Sequence, residues 1–159
     1  MSYKTIKIKK YSDNIDERDA ASAITPGMLI ELDSNGKVQA HANAGQNAFP
    51  LFALEDELQG NSIDDDYAAD NKVQCWIPYR GDEVNAIVAD GNTISIGDQL
   101  ESDGNGYLQA HSADSAGAVE YPNSVVAVAL EAVDTSGSSG TESSDSTLGF
   151  AKRIRVRVV

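Results

Sequence analysis

Residues 27–41 read GMLIELDSNGKVQAH, and residues 97–111 read GDQLESDGNGYLQAH. At this constant offset of 70, eight of the fifteen positions are identical: Gly27/Gly97, Glu31/Glu101, Asp33/Asp103, Asn35/Asn105, Gly36/Gly106, Gln39/Gln109, Ala40/Ala110 and His41/His111. Ile24 and Ile94 match just upstream, and Ala53-Leu54-Glu55 is echoed by Ala129-Leu130-Glu131. Two copies are too few for a solenoid, so the repeat points to a barrel or sandwich made of two related halves.

Each copy reads as a hairpin whose register follows from its side chains. A two-residue Asn35-Gly36 turn would pair Asp33 with Val38 and mix polar and apolar residues on both faces. A three-residue loop, Ser34-Asn35-Gly36, pairs Asp33 with Lys37 instead. Ile30, Leu32, Val38 and Ala40 then share one face, and Glu31, Asp33, Lys37 and Gln39 the other. That separation selects a type I turn with Gly36 left-handed, a G1 bulge. Asn105 and Gly106 play the same turn roles in the second copy. There Leu100, Leu108 and Ala110 point inward, while Glu101, Asp103, Tyr107 and Gln109 point outward. Ser102 takes the inward place of Leu32, which is the weak point of the second copy.

Further strands are expected at residues 49–54, 73–77, 84–89 and 125–133, separated by Gly, Asn and Asp clusters. Residues 16–23, DERDAASA, have the composition of a short helix that Pro26-Gly27 would stop. The fold class is all-β: a small, tulip-like β-barrel of two pseudo-repeated hairpin halves with strand-like terminal arms. The expected organisation is a basic arm and short linker at 1–23, a barrel body at 24–134, a Ser/Gly-rich loop at 135–147 and a basic strand at 148–159.

The chain has 159 residues and a net charge of −13, and Leu, Ile, Val and Phe supply only 35 of its residues. A thin, sheet-like core follows. The charge is segregated. Residues 1–10 hold Lys4, Lys7, Lys9 and Lys10, and residues 152–159 hold Lys152, Arg153, Arg155 and Arg157, with no acid in either. Residues 11–151 hold four cations against all 25 acids, a net charge of −21. Ile6 and Ile8 alternate with Lys7 and Lys9, as Ile154, Val156 and Val158 alternate with Arg153, Arg155 and Arg157, so both ends read as strands with one cationic face. Either the ends lie over the acidic body or they reach a neighbouring acidic surface. Nucleic acid is not expected as a partner, because phosphates need clustered cations. The longest apolar stretch, residues 125–130, falls far short of a membrane span. No secretory signal is visible, and synthesis in a cytoplasm is expected. One cysteine, Cys75, leaves no internal disulfide.

The motifs give little chemistry. Glu31-x-Asp33-x-Asn35-Gly36 and its second copy mimic the start of an EF-hand loop. The bidentate acid at position twelve is missing, with Ala42 and Ser112 in its place, and flanking helices are absent. His41 and His111 occupy equivalent strand ends and are read as polar-face residues, since two ligands do not make a metal site. Cys75, beside Trp76, reads as a buried thiol. Asp134-Thr135-Ser136-Gly137 approaches the aspartic-protease Asp-Thr-Gly but carries an extra Ser. No phosphate loop, His-Glu-x-x-His or Gly-x-Ser-x-Gly occurs. No enzyme activity, cofactor or metal is expected.

Pro26-Gly27-Met28-Leu29-Ile30, the Asp33-Ser34-Asn35-Gly36-Lys37-Val38 turn, Ile96-Gly97-Asp98-Gln99-Leu100 and the VAVAL strand at 126–130 resemble segments of the decoration, or cement, proteins of tailed-phage capsids. The resemblance spans roughly residues 24–133. It implies a structural protein on the outer surface of the virion, made in a bacterial cytoplasm. Such a protein would form homotrimers and clamp neighbouring major capsid protein subunits. On that reading Lys4, Ile6, Lys7, Ile8, Lys9, Lys10, Arg153, Arg155 and Arg157 form the capsid contact, by strand addition and charge steering. Deleting residues 1–10 is then expected to abolish capsid binding and leave the barrel folded. The alternative is a β-barrel carbohydrate-binding or adhesion module using Tyr107, Trp76 and Tyr79 as aromatic platforms.

Overall fold

The computed structural model describes residues 3–113, 119, 121–137, 148 and 151–159. Both repeats are hairpins in the expected register. In the first, β3 (Ile30–Leu32) pairs with β4 (Val38–Ala40), with Leu32 opposite Val38 and the Asp33 N–H donating to Lys37 O at 2.8 Å. In the second, β9 (Gln99–Ser102) pairs with β10 (Leu108–Ala110), with Ser102 opposite Leu108 and the Asp103 N–H donating to Tyr107 O at 2.9 Å. Gly36 and Gly106 have φ of 78° and 81°, as the bulge requires.

The remaining strands are β1 (Lys7–Lys9), β2 (Ile15–Asp19), β5 (Phe52–Ala53), β6 (Lys72–Trp76) and β7 (Glu83–Val88). After them come β8 (Thr93–Ile94), β11 (Ala127–Ala129), β12 (Val133–Asp134) and β13 (Lys152–Val158). One short 3-10 turn, Glu57–Gln59, interrupts them. The fold is all-β. The expected helix at 16–23 is instead strand β2, paired along its length with β6 from Ile15–Trp76 to Asp19–Lys72. Its helical composition yields to a cross-strand partner, because strand preference depends on context more than on intrinsic tendency.

Strands β7, β10, β9, β11 and β13 close on themselves into a five-stranded barrel, with β1 added at the edge of β7. The first half repeats this ring with looser joints. Strand β2 pairs with β6, and β6 with β5. Single bridges complete the circuit, Leu29 to Phe52 and, in parallel, Ala20 to Val38. The counterparts are the Gln99–β11 contact and the parallel Val88–Leu108 bridge. The correspondence extends to individual hydrogen bonds. Gly27 N–H donates to Ala53 O at 2.8 Å and Gly97 N–H to Ala129 O at 2.9 Å. His41 N–H donates to Leu29 O at 3.0 Å and His111 N–H to Gln99 O at 2.8 Å. The register matches Asp16 with Val84, because each faces an equivalent residue, Cys75 and Val156. The expected two-half architecture is therefore a tandem of two related rings.

The rings share a seam, and the seam explains where the copies diverge. Leu29, Phe52 and Trp76 point out of ring one and are all 0% exposed. Their ring-two counterparts are Gln99, Val128 and Arg157, of which Gln99 and Arg157 face solvent. At two of the three positions the apolar residue of the buried face is thus replaced by a polar one where the face meets solvent, and Val128 is the exception. Leu29, Phe52 and Trp76 pack in one cluster with Ile6 and with Val84, Leu100 and Leu108 of ring two, while Ile87 and the half-buried Tyr107 of ring two pack with Ile24, Met28 and Val38 of ring one.

The terminal segments are not free arms. Strand β1 pairs with β7, and β13 lies between β7 and β11. The linker in the 1–23 segment contains β2 of ring one. Most of the Ser/Gly-rich loop, residues 138–147, lies outside the described residues.

Candidate functional site

The terminal cations meet the body's own acids. Lys7 Nζ lies 3.0 Å from Asp13 Oδ1, and Lys10 also pairs with Asp13. Arg153 Nη1 lies 2.9 Å from Asp64, and its Nε donates to Pro26 O at 3.1 Å. Arg157 Nη2 lies 2.9 Å from Glu83, which Arg155 approaches at 4.0 Å. The lysines beside Asp13 hold its carboxyl below the ordinary carboxylate range. Of the two roles open to the basic ends, the intramolecular one is visible here. Lys4 and Lys9 remain exposed, and Ile8 is half-buried. The residues proposed as one capsid contact thus divide between β1 with its flanking residues Lys4, Ile6 and Lys10, and β13.

The turn acids are also committed. Asp33 Oδ1 accepts the N–H groups of Asn35 (2.8 Å) and Lys37 (2.9 Å), and Asp103 Oδ1 those of Asn105 (2.7 Å) and Tyr107 (3.0 Å). Partial desolvation works to raise the Asp33 pKa, but these N–H donors outweigh it and the net shift is downward. The carboxylates that imitate a calcium loop are the fasteners of the hairpin. Asp134 is similarly held, accepting from Ser136 N–H at 2.9 Å, while the buried Thr135 hydroxyl donates to Ala89 O at 2.9 Å.

His41 departs from the polar-face expectation: it is 2% exposed. Its Nδ1 lies 2.8 Å from Ser102 Oγ and its Nε2 3.3 Å from Asn47 O. Ser102, the apparent weak point of the second hairpin, is fully buried because it anchors this histidine of the first. His111 remains part-exposed, 2.5 Å from Glu101 Oε2. Glu101, expected to point to solvent, is 3% exposed beneath the Gly45 loop.

The feature not anticipated is a cavity of about 380 Å³ inside ring one. Ile30, Val38, Leu51, Cys75 and Ile77 line it. Leu32 and Phe49, 54% and 64% exposed, stand at its rim. Asp16 and Arg18 of β2 face it and pair with each other at 2.7 Å. That guanidinium holds the Asp16 carboxyl below the usual range. At the corresponding places ring two has Val84 and Ala86, both 0% exposed. One ring is thus packed with its own side chains, and its twin lets charged residues face an open interior. A mostly apolar hollow with a few polar groups is how small binding sites are built. The sequence hint was faint: the charged run 16–19 has no apolar alternation to match β7.

Cys75 forms part of the cavity floor and is 1% exposed. Burial pushes its thiol up to about 12. In a native sample near pH ~8, a small disulfide reagent should modify Cys75 about a thousandfold more slowly than in the urea-unfolded chain. Equal rates would mean that the floor opens freely to solvent.

The aromatic platforms of the glycan reading separate. Trp76 is fully buried in the seam and Tyr107 half-buried, while exposed Tyr79 packs edge-on against Tyr11 with centroids 5.4 Å apart. Comparison with protein-family models and with curated proteins found no match to this chain.

Proposed function

We propose that the chain is a structural protein of the tailed-phage virion, decorating the outer surface of the expanded capsid and bridging major capsid protein subunits, as a homotrimer. The observation that carries this reading is the place of the segments that resemble cement proteins. Gly27 and Gly97 open equivalent strands, and the 33–38 turn closes one hairpin. Residues 127–129 of the VAVAL segment form a wall of the closed barrel. The resemblance therefore lies in the framework of the rings and not in scattered loops.

The mode of attachment changes from the sequence expectation. Strands β1 and β13 are consumed within the molecule, so docking falls to surfaces of the rings. The glycan-binding alternative loses Trp76 as a platform, because a fully buried indole cannot stack on a sugar.

Quantitative mass spectrometry of density-purified virions tests the proposal. A copy ratio near one relative to the most abundant coat protein is the expected result. Absence from the particles would overturn it.

A further inference from the structure

Strand β2 is an edge in ring one, and its twin is not. Along residues 15–19 one side of β2 pairs with β6. Among the described residues no strand pairs with the other side, and only Ala20, beyond the strand, bridges to Val38. In ring two the corresponding edge of β7 is occupied by β1: Lys7 stands opposite Val84, Lys9 opposite Glu83, and Asn85 N–H donates to Ile6 O at 2.9 Å. The counterpart of Asn85 is Glu17. Its N–H donates to the carboxylate of its own neighbour, Asp16, at 3.0 Å.

We propose that the free edge of β2 is a docking site for an extended segment of a partner protein in which lysine or arginine alternates with apolar residues. The segment would add as a strand on this edge and place an apolar side chain in the ring-one cavity, opposite Asp16, where β1 has Lys7 opposite Val84.

The geometry sets that pattern. Residues opposite each other on adjacent strands project to the same face. A residue opposite Asp16 therefore enters the interior, where Ile30, Leu51, Cys75 and Ile77 present an apolar wall. Its neighbours project outward beside Glu17. Asp16 pairs with Arg18 and Asp19 with Lys72 of β6, each at 2.7 Å, which leaves the outward Glu17 with a neutral partner, Gln74, so the outward residues of a partner beside it gain from being cationic. Charges on an edge strand usually prevent pairing. Here Glu17 opposes pairing of two copies of β2 and admits a basic strand, which is how like charges select a partner. The site does not depend on the capsid reading, since the edge and cavity stand whatever particle the chain belongs to.

The probe is the peptide acetyl-Lys-Val-Lys-Ile-Lys-Val-Lys-amide, titrated into the ¹⁵N- and methyl-labelled full chain. The expected result is saturable shifts at the amides of residues 15–19 and at the methyls of Leu32, Leu51 and Ile77. A version N-methylated on alternate residues, unable to pair along the edge, should bind at least about tenfold more weakly. The variant Glu17→Lys, altered at an exposed side chain, should weaken binding of the lysine peptide and strengthen that of its glutamate counterpart. No shifts at millimolar peptide, shifts confined to the β1–β7 pair, equal binding of the N-methylated version, or an unchanged charge preference would each overturn the proposal.

Discussion

Removing residues 152–159 should leave a chain with no folded core. Strand β13 pairs with β7 from Lys152–Val88 to Arg157–Glu83, and with β11 from Ala127–Val158 to Ala129–Val156. It buries Ile154, Val156 and Val158, each at most 3% exposed. Three such side chains are worth about 1.5–3 kcal/mol each. Their loss would also strip the partners from two strands of a closed barrel, which has no free edges to spare. Together these losses approach the whole of the ~5–15 kcal/mol by which a domain is stable. The truncated protein should show no near-ultraviolet dichroism and no sigmoidal melt. Removal of residues 1–10 is a milder case. It takes Ile6 from the core at a cost of about 2–5 kcal/mol but leaves the ring closed. Its melting temperature should fall by about 5–15 °C with cooperativity retained. Melting of both truncations within a few degrees of the full chain would mean that the ends are the detachable arms their charge suggests.

That contrast marks how far the sequence reaches. The hairpin register was legible because faces of opposite polarity and a left-handed glycine leave one arrangement, and Asp33 and Asp103 fasten it locally. The terminal strands were legible as strands, from their alternation. Whether they lay inside or outside the fold was not legible, because a cationic outer face suits a lysine that pairs with Asp13 as well as one that reaches a neighbour. Strand β2 was missed because nothing in residues 15–19 reports its partner β6, more than fifty residues away in sequence. The seam was written in the differences between the copies, Leu29 against Gln99 and Met28 against Asp98. Such differences read as drift until the rings are superimposed. The cavity was further out of reach. It depends on matching Asp16 and Arg18 to Val84 and Ala86, and those strands share no sequence pattern.

The seam itself offers an internally controlled experiment. Gly27 and Gly97 are counterparts with the same φ of 95°, and Gly36 and Gly106 are counterparts at 78° and 81°. Alanine at any of the four is strained by about 1–2 kcal/mol, since an L side chain disfavours this region. Only two face the seam. A Cβ on Gly27 would lie 2.9 Å from Asn85 O and 3.3 Å from Ile6 and Ile87. On Gly106 it would lie 2.9 Å from Ala40 Cβ and 3.1 Å from Leu29 O. Gly97 and Gly36 have nothing within 4 Å. Both seam glycines also join the rings by backbone bonds, Ile87 N–H to Gly27 O at 3.2 Å and Leu29 N–H to Gly106 O at 2.8 Å. Backbone cannot yield as a flexible side chain does, so crowding there should add about 1–3 kcal/mol. Urea unfolding should therefore rank Gly27→Ala below Gly97→Ala, and Gly106→Ala below Gly36→Ala, with the backbone strain cancelling within each pair. The double variant Gly27→Ala/Gly106→Ala should cost less than the two singles combined, because once the rings have parted at one contact the other is already relieved. Equal losses at all four positions would mean that the rings touch without being locked, and the tandem would then unfold in two steps.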